Sequence, residues 1–142
     1  MGNFLFQSYV EGSLYDNETR MFSNVIICQA DCDNEGHENW VDKIQAGKRV
    51  YITINENDKI LGWSDANFQK DRLGRTARNL TSKNAVYFDF TESPGIGNTH
   101  QIWGEETNDV VKDFFVHALN GKKAEETLGL MFDQRINAFR IA

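Results

Sequence analysis

Three short runs of β-branched and aromatic residues, each bounded by polar residues, predict β-strands. They lie at residues 24–30, 49–54 and 85–91. The first run, NVIICQA, is typical of a strand that is covered on both faces. Such strands belong to the interior of a protein, so we expect further elements to pack above and below them.

Apolar residues that recur at helical spacing lie between and around these strands. The predicted helices are residues 3–10, about 36–45, a short segment holding Ile60, Leu61 and Trp63, and a clear amphipathic helix from Thr107 or Asn108 to about Asn120. Residues 65–82 are polar and predicted to be irregular. The tail carries a short amphipathic stretch near 124–132 and then a strand or an extended arm over 136–141.

The alternation of helices and strands predicts an α/β fold. Such an order needs right-handed crossovers, and these produce a mostly parallel sheet flanked by helices on both faces. We expect three strands or slightly more. At 142 residues, of which 40% are hydrophobic, residues 1–142 are predicted to form a single domain.

Charge and hydropathy narrow the classes of partner. The net charge is −6 and the basic residues are scattered, which argues against nucleic acid because phosphate binding needs clustered Lys and Arg. No apolar run approaches the roughly 18 residues of a membrane span, and the amino terminus lacks the pattern of a signal peptide. We therefore expect a cytoplasmic protein without a membrane span.

The cysteines and two of the three histidines are interpreted as structural. Cys28 and Cys32 do not have the spacing of a redox motif or of a disulfide framework, so we expect reduced, packed thiols. A metal site made of Cys28, Cys32 and His37 lacks a fourth ligand at a recognisable spacing. No metal and no cofactor are expected, and His37 and His117 are interpreted as structural or solvent-exposed residues.

Two residues lie where parallel sheets carry their chemistry, in loops at the carboxyl ends of strands. Asp58 follows the second predicted strand by four residues, and His100 lies in the loop after the third. An acid followed by a histidine is the chain order of a hydrolase triad. Asp58 could instead be only the N-cap of the short helix that follows it. Asp31 or Asp33, after the first strand, could also supply the acid.

The sequence around these positions resembles a branch of bacterial α/β-hydrolases of largely uncharacterised function. The segments that carry the resemblance are NVIICQADCD, RVYITINENDKILGWSD and RLG at residues 72–74. Family members look like "aPD" after one strand, "vYvsxnDxaLxxS" after the next, and "LG" before the histidine. Asp31 matches the first pattern, although Ala30 departs from it, and the matches to the second are Asn57, Asp58, Leu61 and Ser64. The resemblance spans roughly residues 1–120.

The resemblance implies that Asp58 and His100 are the acid and the base of a catalytic triad. In this superfamily the nucleophilic serine lies in a G-x-S-x-G elbow, often GHSMG, which leads directly into an apolar helix. Met1 and Gly2 match the residues that follow the serine, so they are the expected remnant of the elbow, and the backbone N–H of Met1 matches an oxyanion-hole donor. We therefore expect this chain to be the carboxyl-terminal part of an α/β-hydrolase domain, beginning just after its nucleophile.

Three hypotheses for function follow from the sequence. The first is an esterase-like acyl hydrolase acting on small molecules, truncated and inactive alone because the serine is missing. The second is a non-catalytic domain that binds a protein partner or forms a homo-oligomer through the exposed edge of its sheet. The third, an independent hydrolase, has little support because no serine lies in a G-x-S-x-G turn. The serines considered for it are Ser8, Ser13, Ser23, Ser64, Ser82 and Ser93.

Overall fold

The computed structural model describes residues 2–12, 22–45, 47–104 and 108–142. The helices within these ranges are α1 (Gly2–Glu11), α2 (Glu38–Val41), α3 (Lys59–Phe68) and α4 (Asp109–Leu119), with 3₁₀ turns at Leu73–Arg75, Ile102–Gly104 and Ala124–Glu126. The strands are β1 (Phe22–Cys28), β2 (Gly47–Ile54), β3 (Ala85–Asp89), β4 (Leu130–Asp133) and β5 (Ala138–Ile141).

The strands of the described ranges form one sheet in the order β1-β2-β3-β5-β4. The strands β1, β2, β3 and β5 run parallel, and β4 is antiparallel to β5. The predicted α/β class with a mostly parallel sheet is confirmed. The sheet has five strands, where three or slightly more were expected, because the tail adds a hairpin. Its second strand, β5, lies within the predicted strand or extended arm at 136–141. Each strand of that hairpin has four residues, too few to show a period of their own.

Helices cover both faces of the sheet, as the alternating order predicts. In β2, Val50 and Ile52 pack into the core cluster that also contains Trp40 of α2, whereas Tyr51 packs into the cluster that contains Phe114 of α4. Successive residues of a strand point to opposite faces. The strand β2, which lies between β1 and β3, is therefore buried on both sides.

Several element boundaries differ from the predicted ones. Helix α2 is limited to Glu38–Val41, and α3 continues to Phe68, so residues 65–68 are helical rather than irregular. The prediction missed this extension because α3 is a mostly exposed helix with little apolar periodicity; it ends where Gln69 adopts φ 53°. The amphipathic stretch near 124–132 divides into a 3₁₀ turn and β4.

Helix α4 begins where a cap was expected. The Asn108 side chain accepts a hydrogen bond from the backbone N–H of Val111 at 3.1 Å, which satisfies a donor of the first turn. The alternative cap, Thr107, lies outside the described residues. Across the described ranges, the helices are too short and too polar to traverse a lipid bilayer.

Candidate active site

The loops that follow β1, β2 and β3 meet at one edge of the sheet because these strands are parallel. Asp58 lies in the loop after β2 and is fully buried. One carboxylate oxygen, Oδ1, accepts a hydrogen bond from the backbone N–H of Leu61 at 2.9 Å and so caps α3. The predicted cap role is therefore present, but it uses only one of the two carboxylate oxygens.

The second oxygen of Asp58 contacts His100. Nδ1 of His100 lies 2.7 Å from Oδ2 of Asp58, and the imidazole side chain is 39% exposed. An ionised carboxylate can only accept hydrogen bonds, so we assign the proton of the neutral imidazole to Nδ1. Nε2 then carries the lone pair, as in a histidine that acts as a general base. The structure thus brings together the two residues that the sequence pattern singled out.

Gln29, which no sequence pattern indicated, completes this arrangement. Its side-chain Nε2 donates to Asp58 Oδ2 at 2.7 Å and to the backbone carbonyl of Thr99 at 2.9 Å. Its Oε1 accepts a hydrogen bond from the backbone N–H of Ile102 at 3.0 Å. The signal that could have revealed it is its place: an amide residue directly after the apolar strand β1, at the edge where the other site residues lie.

Asn55, at the end of β2, also holds the histidine loop. It is fully buried, and its Nδ2 donates to the carbonyls of Gly97 and Thr99 at 3.1 and 3.0 Å. Its backbone N–H donates to the carbonyl of Gly74 at 2.9 Å. The loop that carries His100 is therefore hydrogen-bonded to the residues that directly follow β1 and β2, Gln29 and Asn55.

The two alternative acids occupy different surroundings. Asp33 forms ion pairs with Lys70 at 2.7 Å and with Arg72 at 2.6 Å. Asp31 lines the cavity beside His100. Within the described ranges the carboxylate hydrogen-bonded to His100 is that of Asp58, so the geometry favours Asp58 over both alternatives.

A cavity of about 360 Å³ opens over the exposed side of His100. It is lined by Gly2, Asn3, Cys28, Gln29, Asp31, Ile60, Leu61, Trp63, Ser64 and His100. Gly2, one residue of the expected elbow remnant, thus lies in the same cavity as the histidine. Met1, the other, lies outside the described residues.

Two of these lining residues, Ser64 and Cys28, carry a hydroxyl or thiol group that is a candidate nucleophile. Burial raises the pKa of the Cys28 thiol to about 11, so at neutral pH it is protonated and unreactive. The Ser64 hydroxyl accepts a hydrogen bond from Nε of Arg72 at 3.0 Å. Of the other serines considered, Ser13 lies outside the described residues.

The remaining histidines make contacts away from this cavity. His37 is buried, with Nδ1 2.6 Å from the carbonyl of Asn34 and Nε2 2.6 Å from the hydroxyl of Tyr87. Nδ1 of His117 lies 2.9 Å from Oγ1 of Thr127. Across the part of the chain that the structure describes, no three His, Cys, Asp or Glu residues are grouped as metal ligands, and Cys28 and Cys32 are free thiols.

Comparison of the chain with protein-family models, with curated proteins and with solved structures finds no match.

Proposed function

We propose that this chain supplies the acid and the base of an acyl hydrolase of the α/β-hydrolase type. The observation that carries the proposal is the buried carboxylate of Asp58, hydrogen-bonded to the partly exposed His100 beside a cavity. The two residues come from loops after adjacent parallel strands and follow the chain order of that superfamily. The ligands in this proposal are small acyl compounds such as esters.

His100 would act as the general base. Its Nε2 takes the proton of a hydroxyl nucleophile as the oxygen attacks the ester carbonyl, and later returns it to the leaving alcohol. Asp58 keeps the ring in the Nδ1–H tautomer and stabilises the imidazolium that forms. Because Asp58 is fully buried, its charge acts on the ring with little screening by water.

In this proposal the start of helix α1 would stabilise the negative charge of the intermediate. Gly2 and Asn3 form its first turn and line the same cavity as His100. Backbone N–H groups in a first turn have no partner within the helix, and the helix dipole favours an anion there. This proposal does not assign the nucleophile to Cys28 or Ser64 of the cavity, because the Cys28 thiol is protonated and the Ser64 hydroxyl contacts Arg72.

The test is a p-nitrophenyl ester assay on this chain and on a protein extended upstream along the reading frame. We expect activity in the extended protein alone, lost in its His100→Ala variant. His117→Ala is the matched control, since His117 lies on α4 and bonds to Thr127; it should retain activity. An extended protein that is folded but inactive, or one unaffected by His100→Ala, would refute the proposal.

We also propose a second candidate, self-association through β1, because this strand lies at the edge of the sheet. Phe22 of β1 is 56% exposed, and α1 exposes Phe4, Leu5 and Tyr9. Unpaired apolar edges favour pairing with another chain. In sedimentation velocity we expect concentration-dependent dimers that Phe22→Lys on β1 dissociates, whereas Leu119→Lys on α4 does not. A monomer at all concentrations would contradict this candidate.

A further inference from the structure

The backbone of Gln29 is held in a conformation that few residues adopt. Its φ is 41°, in the left-handed region that is uncommon for residues other than glycine. Such a conformation persists only where the surroundings enforce it. Gly74 packs directly against this backbone: its N–H donates to the carbonyl of Ala30 at 3.0 Å, and a Cβ at this glycine would lie 2.2 Å from the carbonyl carbon of Gln29.

The orientation of the Gln29 amide is determined by two backbone groups. The N–H of Ile102 requires an acceptor and therefore faces Oε1, at 3.0 Å. The carbonyl of Thr99 requires a donor and therefore faces Nε2, at 2.9 Å. The second proton of Nε2 is then directed at Oδ2 of Asp58, at 2.7 Å. A flipped amide would place like groups against each other at all three contacts.

This polarity is complementary to the Asp58–His100 pair. Both oxygens of Asp58 already accept hydrogen bonds, Oδ1 from the N–H of Leu61 and Oδ2 from Gln29. Neither oxygen of the carboxylate has a proton to donate, so Nδ1 is the donor in its contact with Oδ2 as long as the loop holds the ring there. The two backbone groups held by Gln29, on Thr99 and Ile102, also flank His100 in the chain, so the same amide restrains the loop that carries the ring.

We infer that Gln29 is a positioning residue that orients the ring of His100 against Asp58 and thereby maintains its Nδ1–H tautomer. The catalytic part of this inference rests on the proposed function. The structural part does not, because the tautomer can be observed in this chain without any reaction. Gln29 acts here through Asp58 and the histidine loop and is assigned no direct contact with substrate.

The experiment measures the His100 tautomer by long-range ¹H–¹⁵N NMR of the imidazole rings, above the pH range in which histidines titrate. We expect the Nδ1–H form in the unmodified chain and a loss of its dominance in Gln29→Met, which has a side chain of similar length but no amide. Gln29→Gly is the second variant, because glycine adopts a positive φ without strain and thus removes the amide while favouring the native backbone.

Asn34→Leu is the matched control. Asn34 is 4% exposed, close to the 3% of Gln29, and its amide also joins two loops, donating to the carbonyl of Arg78 at 3.0 Å and accepting from Nδ2 of Asn79 at 3.1 Å. It should lower stability without changing the tautomer of His100. An unchanged His100 tautomer in folded Gln29→Met and Gln29→Gly would overturn the inference.

Activity in the extended protein separates the two proposals. If both hold, Gln29→Met lowers kcat about 10- to 100-fold with little change in KM, the range found when outer-shell partners of metal-binding histidines are removed. If the tautomer changes but the extended protein has no esterase activity, the proposed function fails and the positioning role stands. If the extended protein is active while tautomer and kcat are insensitive to Gln29, the inference fails and the proposed function stands.

Discussion

Replacing Asp58 with asparagine separates its two roles, the cap of α3 and the acceptor for Gln29 and His100. Asparagine and aspartate are about equally good N-cap residues, so a residue that served only as a cap would tolerate the change. The second oxygen is different. In one orientation of the asparagine amide, its nitrogen takes the place of Oδ2 and faces Nε2 of Gln29, which lies 2.7 Å from Oδ2 in the unmodified chain. In the flipped orientation, the nitrogen faces the N–H of Leu61 instead.

The magnitude follows from which donors lose their partner. A buried donor left unsatisfied costs about 1–3 kcal/mol, and in either amide orientation one such donor remains, on Gln29 or on Leu61, both of which are buried. His100 adds little, because its side chain is 39% exposed and its ring can find water. We therefore expect Asp58→Asn to lower the free energy of unfolding by about 2 kcal/mol.

Urea denaturation followed by far-ultraviolet circular dichroism measures this change. Asp109→Asn is the matched control, the same substitution in the exposed first turn of α4, where we expect less than about 0.5 kcal/mol. A loss for Asp58→Asn no larger than that of the control would refute the described network. Asp58 would then be a cap residue only, and the assignment of His100 as its partner would fall with it.

Three further predictions follow from particular contacts. Gly74→Ala should destabilise the protein severely, because the new Cβ would lie 2.2 Å from backbone atoms of the neighbouring loop. Gly104→Ala is the control and should have little effect, because a Cβ there meets nothing within 4 Å. Thermal unfolding of the two variants tests this, and an equal decrease in Tm would contradict it. The Cys28 thiol, with a pKa raised to about 11 by burial, should react with iodoacetamide far more slowly at pH 8 than in urea, and equal rates would show that it is not protected. Hydrogen bonds from Arg135 lower the pKa of Asp133 from 3.8 to about 2. This carboxylate therefore stabilises the fold above its unfolded pKa and loses that effect as the pH falls toward 2. The difference in Tm between the unmodified chain and Asp133→Asn should shrink as the pH falls from 3.8 to about 2, and a constant difference would argue against the contact between Asp133 and Arg135.

The acid and the histidine could be recognised in the sequence because each follows a predicted strand. Strands that run parallel end at the same edge, so residues just beyond them are expected to lie close together. The sequence left three carboxylates open for the role of the acid. The structure distinguishes them by their partners, since Asp33 pairs with Lys70 and Arg72 while Asp58 contacts His100.

Local patterns in the sequence determined the α/β class, the approximate positions of β1 to β3 and α4, and a cap of α4 at Thr107 or Asn108, because periodicity and capping depend on residues only a few positions apart. Only the tertiary structure decided the hairpin of β4 and β5, whose short strands are stabilised by pairing with β3 and with each other. It alone revealed the contacts of Asp58 with Gln29 and His100, which are 29 and 42 residues away. The direction of those hydrogen bonds depends on backbone groups of separate loops, and no local pattern of residues encodes which of them will meet.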